Sequence, residues 1–234
     1  MKEQKITPQM IDVALRPEWH RPPDVGLSKI NDLKWLFFRT ARNICPDWQV
    51  AGEHRYAIND IFRWCLGLDG NLDCSKGLWL WGNNGTGKTT MLKIIKDFCR
   101  KIGKRDAKGN IYSFRIVNVI EVCGIYEDKG RKGLWEFVTL PCQAFDELGA
   151  EETLTGYFGT PINVMQYILM GRYDRRYENF THVTTNLEPS DLLKRYGPRV
   201  YDRCKEMFNF VYLGGKTYRK KPYGMIDLSK TNNI

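Results

Sequence analysis

Eight consecutive residues, Gly82, Asn83, Asn84, Gly85, Thr86, Gly87, Lys88 and Thr89, have the types and spacing to hold a polyphosphate. The glycines let successive backbone N–H groups turn inward around phosphate oxygens. Lys88 can then reach the outer phosphates, the Thr89 hydroxyl can ligate Mg²⁺, and Thr90 follows at the start of a helix. Further along, Asp146 and Glu147 close the stretch Ala144-Phe145-Asp146-Glu147. Asp146 is placed to hold the metal through its water shell, and Glu147 to polarise an attacking water, the two carboxylate tasks of phosphoanhydride hydrolysis. The β-branched run from Thr181 to Thr185 ends in Asn186, whose amide can bond a terminal phosphate or simply serve a turn. Arg199 and Arg203 lie one helical turn apart. One of them can reach the nucleotide of a neighbouring subunit, or both can pair with Asp202 and Glu206.

These residues need a scaffold that brings them together. Residues 77–81 read as a short buried strand entering the loop, and 90–98 as a helix leaving it with Met91, Ile94, Ile95 and Phe98 on one face. Beyond it the pattern alternates. Strands are expected over 112–119, within 137–145, over 180–185 and over 208–213, with helices over 120–127, 161–177, 189–196 and 198–207. Such alternation argues for βαβ units and a parallel sheet. Pro141-Cys142-Gln143 is polar for a buried strand and predicts a short or bent one, and Glu151 and Glu152 read as a solvated acidic loop. Upstream, helices are expected from Thr7-Pro8 onward, with Met10, Ile11, Ala14 and Leu15 on its face, and over 29–43 and 54–66.

The chain has 234 residues, 42% apolar and 27% charged, which suits one sizeable globular domain, or one domain with a small appendage. No apolar run approaches the length of a membrane span, and the N-terminus lacks the apolar core of a signal peptide. Seven scattered cysteines without a C-x-x-C pair read as reduced thiols rather than a zinc site, so a cytoplasmic location without membrane attachment is expected. A formal charge of +9 favours a polyanionic partner. Three clusters are candidates for contacting it: Lys129, Arg131 and Lys132 with Trp135 and Phe137; Arg172, Arg175 and Arg176 with Tyr173 and Tyr177; and Lys216, Arg219, Lys220 and Lys221. Each can equally be a solvated basic face. Trp19, Trp35, Phe38 and Trp48 are expected in a core.

The order of these motifs carries a resemblance. Gly82 to Thr89, Phe145-Asp146-Glu147-Leu148-Gly149-Ala150-Glu151, Gly171-Arg172-Tyr173, Thr184-Thr185-Asn186-Leu187, Gly197-x-Arg199-Val200-x-Asp202-Arg203 and Gly215-Lys216-Thr217-Tyr218-Arg219 together resemble the DnaC/DnaI helicase loaders and the related IstB transposition ATPases of the AAA+ class. The resemblance spans roughly residues 55 to 220. It implies an α/β P-loop NTPase of AAA+ type, a three-layer sandwich around a mostly parallel five-stranded sheet, with a small helical N-terminal segment. It also implies ATP and Mg²⁺ as cofactors, Asp146 and Glu147 as the Walker B pair, Asn186 as sensor 1, and Arg203, with Arg199 close behind, as arginine finger. The implied partners are single-stranded DNA, a replicative helicase or a transposase, and further copies of the chain. The corresponding division is a docking segment at 1–53, an ATPase domain at 54–215 and a basic tail at 216–234. The polar Walker B strand leaves room for a nucleotide-gated adaptor with little hydrolysis. A zinc module of the DnaI kind is not expected, on cysteine grounds.

Overall fold

The computed structural model describes residues 29–50, 52–106 and 109–218. Helix α1 (Ile30–Ile44) leads through a 3₁₀ turn (Gly52–His54) into α2 (Arg55–Leu66). Strand β1 (Gly77–Trp81), helix α3 (Lys88–Lys101), strand β2 (Arg115–Asn118), helix α4 (Val119–Thr139) and strand β3 (Cys142–Leu148) follow. The remainder is β4 (Thr155–Tyr157), β5 (Thr160–Ile162), α5 (Val164–Asp174), β6 (Phe180–Thr185), α6 (Pro189–Met207) and β7 (Phe208–Tyr212). Five strands form one sheet in the order β2-β3-β6-β1-β7, and every adjacent pair is parallel.

Both faces of the sheet are covered, which is why β1 is a continuous apolar run rather than an alternating one. On one face Leu78 and Leu80 pack with Ile61, Phe62 and Leu66 of α2, Ile94, Ile95 and Phe98 of α3, and Phe37 of α1. On the other, Trp79 and Phe145 pack with Val122 and Phe137 of α4, Ile168 of α5, and Tyr196 and Val200 of α6. The result is the three-layer α/β sandwich. Helix α1 belongs to its core: Phe37 is 1% exposed, with ring centroids 5.6 Å from Phe62 and 5.1 Å from Phe98. Residues 30–44 therefore share the hydrophobic core of residues 54 onward. Trp35 and Phe38 lie on the outer face of α1 and are exposed, against the expectation of burial, while Trp48 is half-buried. Trp19 and the helix expected from Thr7 lie outside the described residues.

Several elements differ from the sequence expectation for identifiable reasons. Helical structure continues to Thr139 in two stretches divided at Gly130 (φ 59°, ψ −154°), so the helix expected over 120–127 runs slightly further and a second, unexpected stretch follows it. Phe137 is accordingly a buried helix residue and not part of a strand. Strand β3 is seven residues long, not short. The Gln143 amide nitrogen donates to Arg115 O at 3.1 Å on the neighbouring strand, while its buried oxygen has no partner among the described residues. The strand does bend: its register against β6 shifts between Phe145 and Leu148. The helix expected from 161 begins only after Asn163, whose Oδ1 accepts from Gln166 N–H at 2.9 Å. Residues 155–162 instead form an antiparallel hairpin with Phe158 (φ 44°) and Gly159 (φ 78°) at its turn. Phe-Gly is not the usual sequence signal for such a two-residue turn. The break expected before Pro198 is present, with Gly197 at φ 81° and ψ 166° dividing α6. Among the described residues no helix is long and apolar enough to cross a membrane.

Candidate nucleotide site

The loop between β1 and α3 curls back on itself with its glycines at positive φ. Gly82 (φ 141°) lies so close to the strand-end backbone beyond β7 that a Cβ would meet Leu213 O at 2.4 Å. Gly87 (φ 89°) has open space around it, so its requirement is conformational rather than steric. Lys88 Nζ donates to Gly82 O at 2.8 Å and Asn83 O at 2.7 Å, and Thr86 Oγ1 donates to Asn83 O at 3.0 Å. These bonds set the curvature of the loop and hold the ammonium inside it.

Strands β2, β3 and β6 deliver the second half of the site at their C-terminal ends. Thr89 Oγ1 donates to Asp146 Oδ1 at 2.9 Å and approaches Oδ2 at 3.1 Å. Thr184 Oγ1 also donates to Asp146, and in turn accepts from Glu147 N–H at 2.9 Å. Glu147 itself stands at φ 62°, where the bulge of β3 turns its side chain away from the ladder. Its Oε2 accepts from Asn118 Nδ2 at 2.9 Å, while Asn118 Oδ1 caps α4 by accepting from Ile120 N–H at 2.9 Å. A hydroxyl and a carboxylate thus converge as hard oxygen donors. That donor set fits Mg²⁺, which takes one or two protein oxygens and completes its octahedron with phosphate and water. A cavity of about 610 Å³ opens here, within the range of small-molecule sites. It is lined by Asn84 through Met91 of the loop and α3, by Glu147 and Thr184 to Asn186, and by Cys45, Asp47, Trp48, Gln49, His54 and Tyr218.

Neither a family model nor a curated sequence matches the chain. Solved structures do. The crystal structure of DnaI aligns at TM-score 0.53 and 23% identity, covering 76% of this chain and 93% of that one. The DnaC helicase loader aligns at TM-score 0.53 and 20% identity over 72% of this chain and 94% of that one. A putative primosome component from Streptococcus pyogenes serotype M3 aligns at TM-score 0.54 and 19% identity, covering 77% and 91% respectively. This chain has the AAA+ fold of DnaI and the DnaC helicase loader.

Within the AAA+ fold the sequence-nominated residues fall into two groups. The phosphate loop with Thr89 and Thr90, Asp146, Glu147 and Asn186 gather around one cavity or its immediate wall. Arg199 and Arg203 do not line it. Arg203 stacks over the Tyr173 ring at 4.5 Å, donates to Met170 Sδ at 3.1 Å and pairs with Asp174 at 3.8 Å. Arg199 is exposed on the second half of α6. Asn118 was not visible as a site residue; an Asn ending a strand before an apolar helix signals a cap, but its bond to Glu147 is a tertiary fact.

Glu151 corrects the expectation of a solvated loop. It is 6% exposed, accepts from Gly149 N–H at 2.7 Å and from the Tyr196 hydroxyl, and pairs with Arg195 at 3.6 Å. Its carboxylate ties the turn after Glu147 to α6. Glu152 is exposed.

The basic clusters rearrange as well. Arg172 is fully buried, so it is no candidate for an external polyanion. It donates to Thr181 Oγ1 at 2.7 Å, Phe137 O at 2.8 Å, and Leu140 O and Phe180 O at 2.9 Å each, and burial lowers its pKa to about 9. Two contacts link the first two clusters to neighbouring helices, while Phe137 is buried and Lys129 and Lys132 line a separate hollow with Ile125 and Glu136. Arg175 lies over the Trp135 ring at 5.4 Å, and Arg131 over the Tyr167 ring at 5.7 Å. Lys216 is exposed, and Arg219, Lys220 and Lys221 lie outside the described residues.

Proposed function

We propose that this AAA+ protein binds and hydrolyses ATP with Mg²⁺ and couples turnover to assembly on single-stranded DNA, as a helicase loader in DNA replication. The observation that carries the reading is the chain of contacts Thr89–Asp146–Thr184–Glu147–Asn118 at the mouth of the phosphate loop. In it, each group has a distinct task. The loop amides and Lys88 hold the β- and γ-phosphates and neutralise their charge. Thr89 and Asp146 would hold Mg²⁺, which when bound would neutralise charge developing on the phosphates. Glu147 takes the proton of the attacking water, oriented by the bond from Asn118, and Asn186 hydrogen-bonds the γ-phosphate or that water. Arg203, or Arg199 one turn away, serves the nucleotide of an adjacent copy, which suits their position off the chain's own cavity. Lys129, Arg131 and Lys132 with Trp135, and Arg175 with Arg176, supply cations and rings for single-stranded DNA. The remaining partner is a replicative helicase, with an IstB-like transposase as the alternative.

Phosphate release with and without single-stranded DNA tests this reading. Stimulation by DNA is expected, with Glu147→Gln slowing turnover at least about 100-fold while nucleotide still binds. Adding Arg203→Ala protein to wild type is expected to depress turnover more than simple dilution. Turnover indifferent to both DNA and Glu147→Gln overturns the hydrolytic reading in favour of a nucleotide-gated adaptor.

A further inference from the structure

Beyond β7 the chain does not leave the fold but returns along the phosphate loop. Leu213 N–H donates to Trp81 O at 2.7 Å, and Tyr218 N–H donates to Gly85 O at 2.9 Å. The path between those two bonds is tight. A Cβ at Gly214 would meet the Tyr212 phenol at 1.9 Å, and one at Gly215, where φ is 103°, would meet the Glu53 carboxylate at 2.0 Å. His54, 5% exposed at the foot of α2, grips the same segment with both ring nitrogens. Nε2 bonds Gly214 O, and Nδ1 lies 3.1 Å from the Tyr218 hydroxyl. A carbonyl can only accept, so Nε2 carries the proton and, in the neutral ring, Nδ1 accepts from the tyrosine. The Tyr218 and His54 rings pack edge to face at 5.8 Å, and both line the cavity.

We infer that residues 214–218 form a strap that closes the nucleotide cavity, and that His54 is the clasp governing how long a nucleoside triphosphate stays bound. The inference rests on the nucleotide reading above. The strap is fastened to Gly85, inside the loop that turns around the phosphates, so movement of the strap and movement of the loop are coupled through one hydrogen bond. The clasp reaches back to the turn just before α2, so the wall of the cavity is built from chain segments at opposite ends of the described fold. Such a strap acts on retention because its bonds must part before a ligand can pass Tyr218.

Stopped-flow displacement of a fluorescent N-methylanthraniloyl-ATP from the full chain by excess ATP reads this directly. Tyr218→Phe keeps the ring and its packing but removes the hydroxyl that meets His54. Loss of one such hydrogen bond is expected to speed dissociation by about fivefold. His54→Ala, which removes both ring contacts, is expected to speed it further, and adding Tyr218→Phe to His54→Ala is expected to change nothing more, because the bond is shared. Dissociation rates within error of wild type in both single variants overturn the strap alone. Failure of wild type to bind the analogue overturns the nucleotide reading and the strap with it.

Discussion

Asn118 holds two structures at once with one amide: its oxygen caps α4 and its nitrogen steadies Glu147. Substitution by Asp separates the two. An Asp cap is as good as Asn, so Asn118→Asp is expected to leave stability within about 0.5 kcal/mol of wild type. The new carboxylate, however, opposes that of Glu147, and like charge at hydrogen-bond distance raises a carboxyl pKa. The acid limb of the turnover profile is therefore expected to move to higher pH while the thermal midpoint stays in place; an unmoved limb would remove Asn118 from the positioning of Glu147. At this scale the phosphate loop was legible because its chemistry is local: eight consecutive residues contain the whole cradle. Glu151 and Asn118 were not, since each acts through a partner far along the chain, Tyr196 in one case and Glu147 in the other.

Among the elements, β6 is buried along its whole length and carries His182 through the middle of the sheet. Nδ1 accepts from Leu78 N–H at 3.2 Å, and Nε2 meets the Tyr112 hydroxyl at 2.7 Å, so the neutral ring is saturated. Burial, with Lys104 and Arg172 nearby, lowers its pKa from 6.5 to about 3. Between those values the unfolded chain binds a proton that the folded chain refuses, so stability is expected to rise with pH across that window. The slope from this one group approaches about 1.4 kcal/mol per pH unit, and urea titrations of wild type and His182→Gln at several pH values measure it as the difference between the two. Strands β1 and β6 were readable to the residue, because apolar or β-branched runs bounded by turn residues have few other uses. Helix α4 was not. The stretch from Lys129 was read only as a basic cluster, and a Cβ at Gly130 would meet the Tyr157 ring at 2.6 Å, so this glycine both divides the helix and makes room for a hairpin that the sequence did not announce.

At the level of the whole molecule, helix α1 shares the core of the sandwich. Phe37 sits between Phe62 and Phe98, directly against the helix that leaves the phosphate loop. Phe37→Ala is expected to cost about 3–5 kcal/mol, read as a lower urea midpoint at unchanged slope. A loss below about 1 kcal/mol would return α1 to the status of a loosely attached segment. The same scale explains why the basic clusters were misjudged: sequence proximity grouped Arg172 with Arg175 and Arg176, but burial separates the first, Arg175 packs on Trp135 of α4, and Arg176 packs on Tyr173 and Tyr177.

The sheet order has a consequence for synthesis. Strand β1 lies between β6 and β7, with Trp79 paired to Val183 on one side and Phe210 on the other, the last two strands of the fold. A nascent chain emerging from the ribosome therefore exposes its phosphate loop long before either flanking strand exists. Until residues 180–185 have cleared the exit tunnel, Gly77–Trp81 has no native hydrogen-bonding neighbour on either edge, and its second edge is filled only when residues 208–212 follow. The loop after β1 is therefore translated well before the strands that flank it, and its final geometry belongs to a late stage of folding.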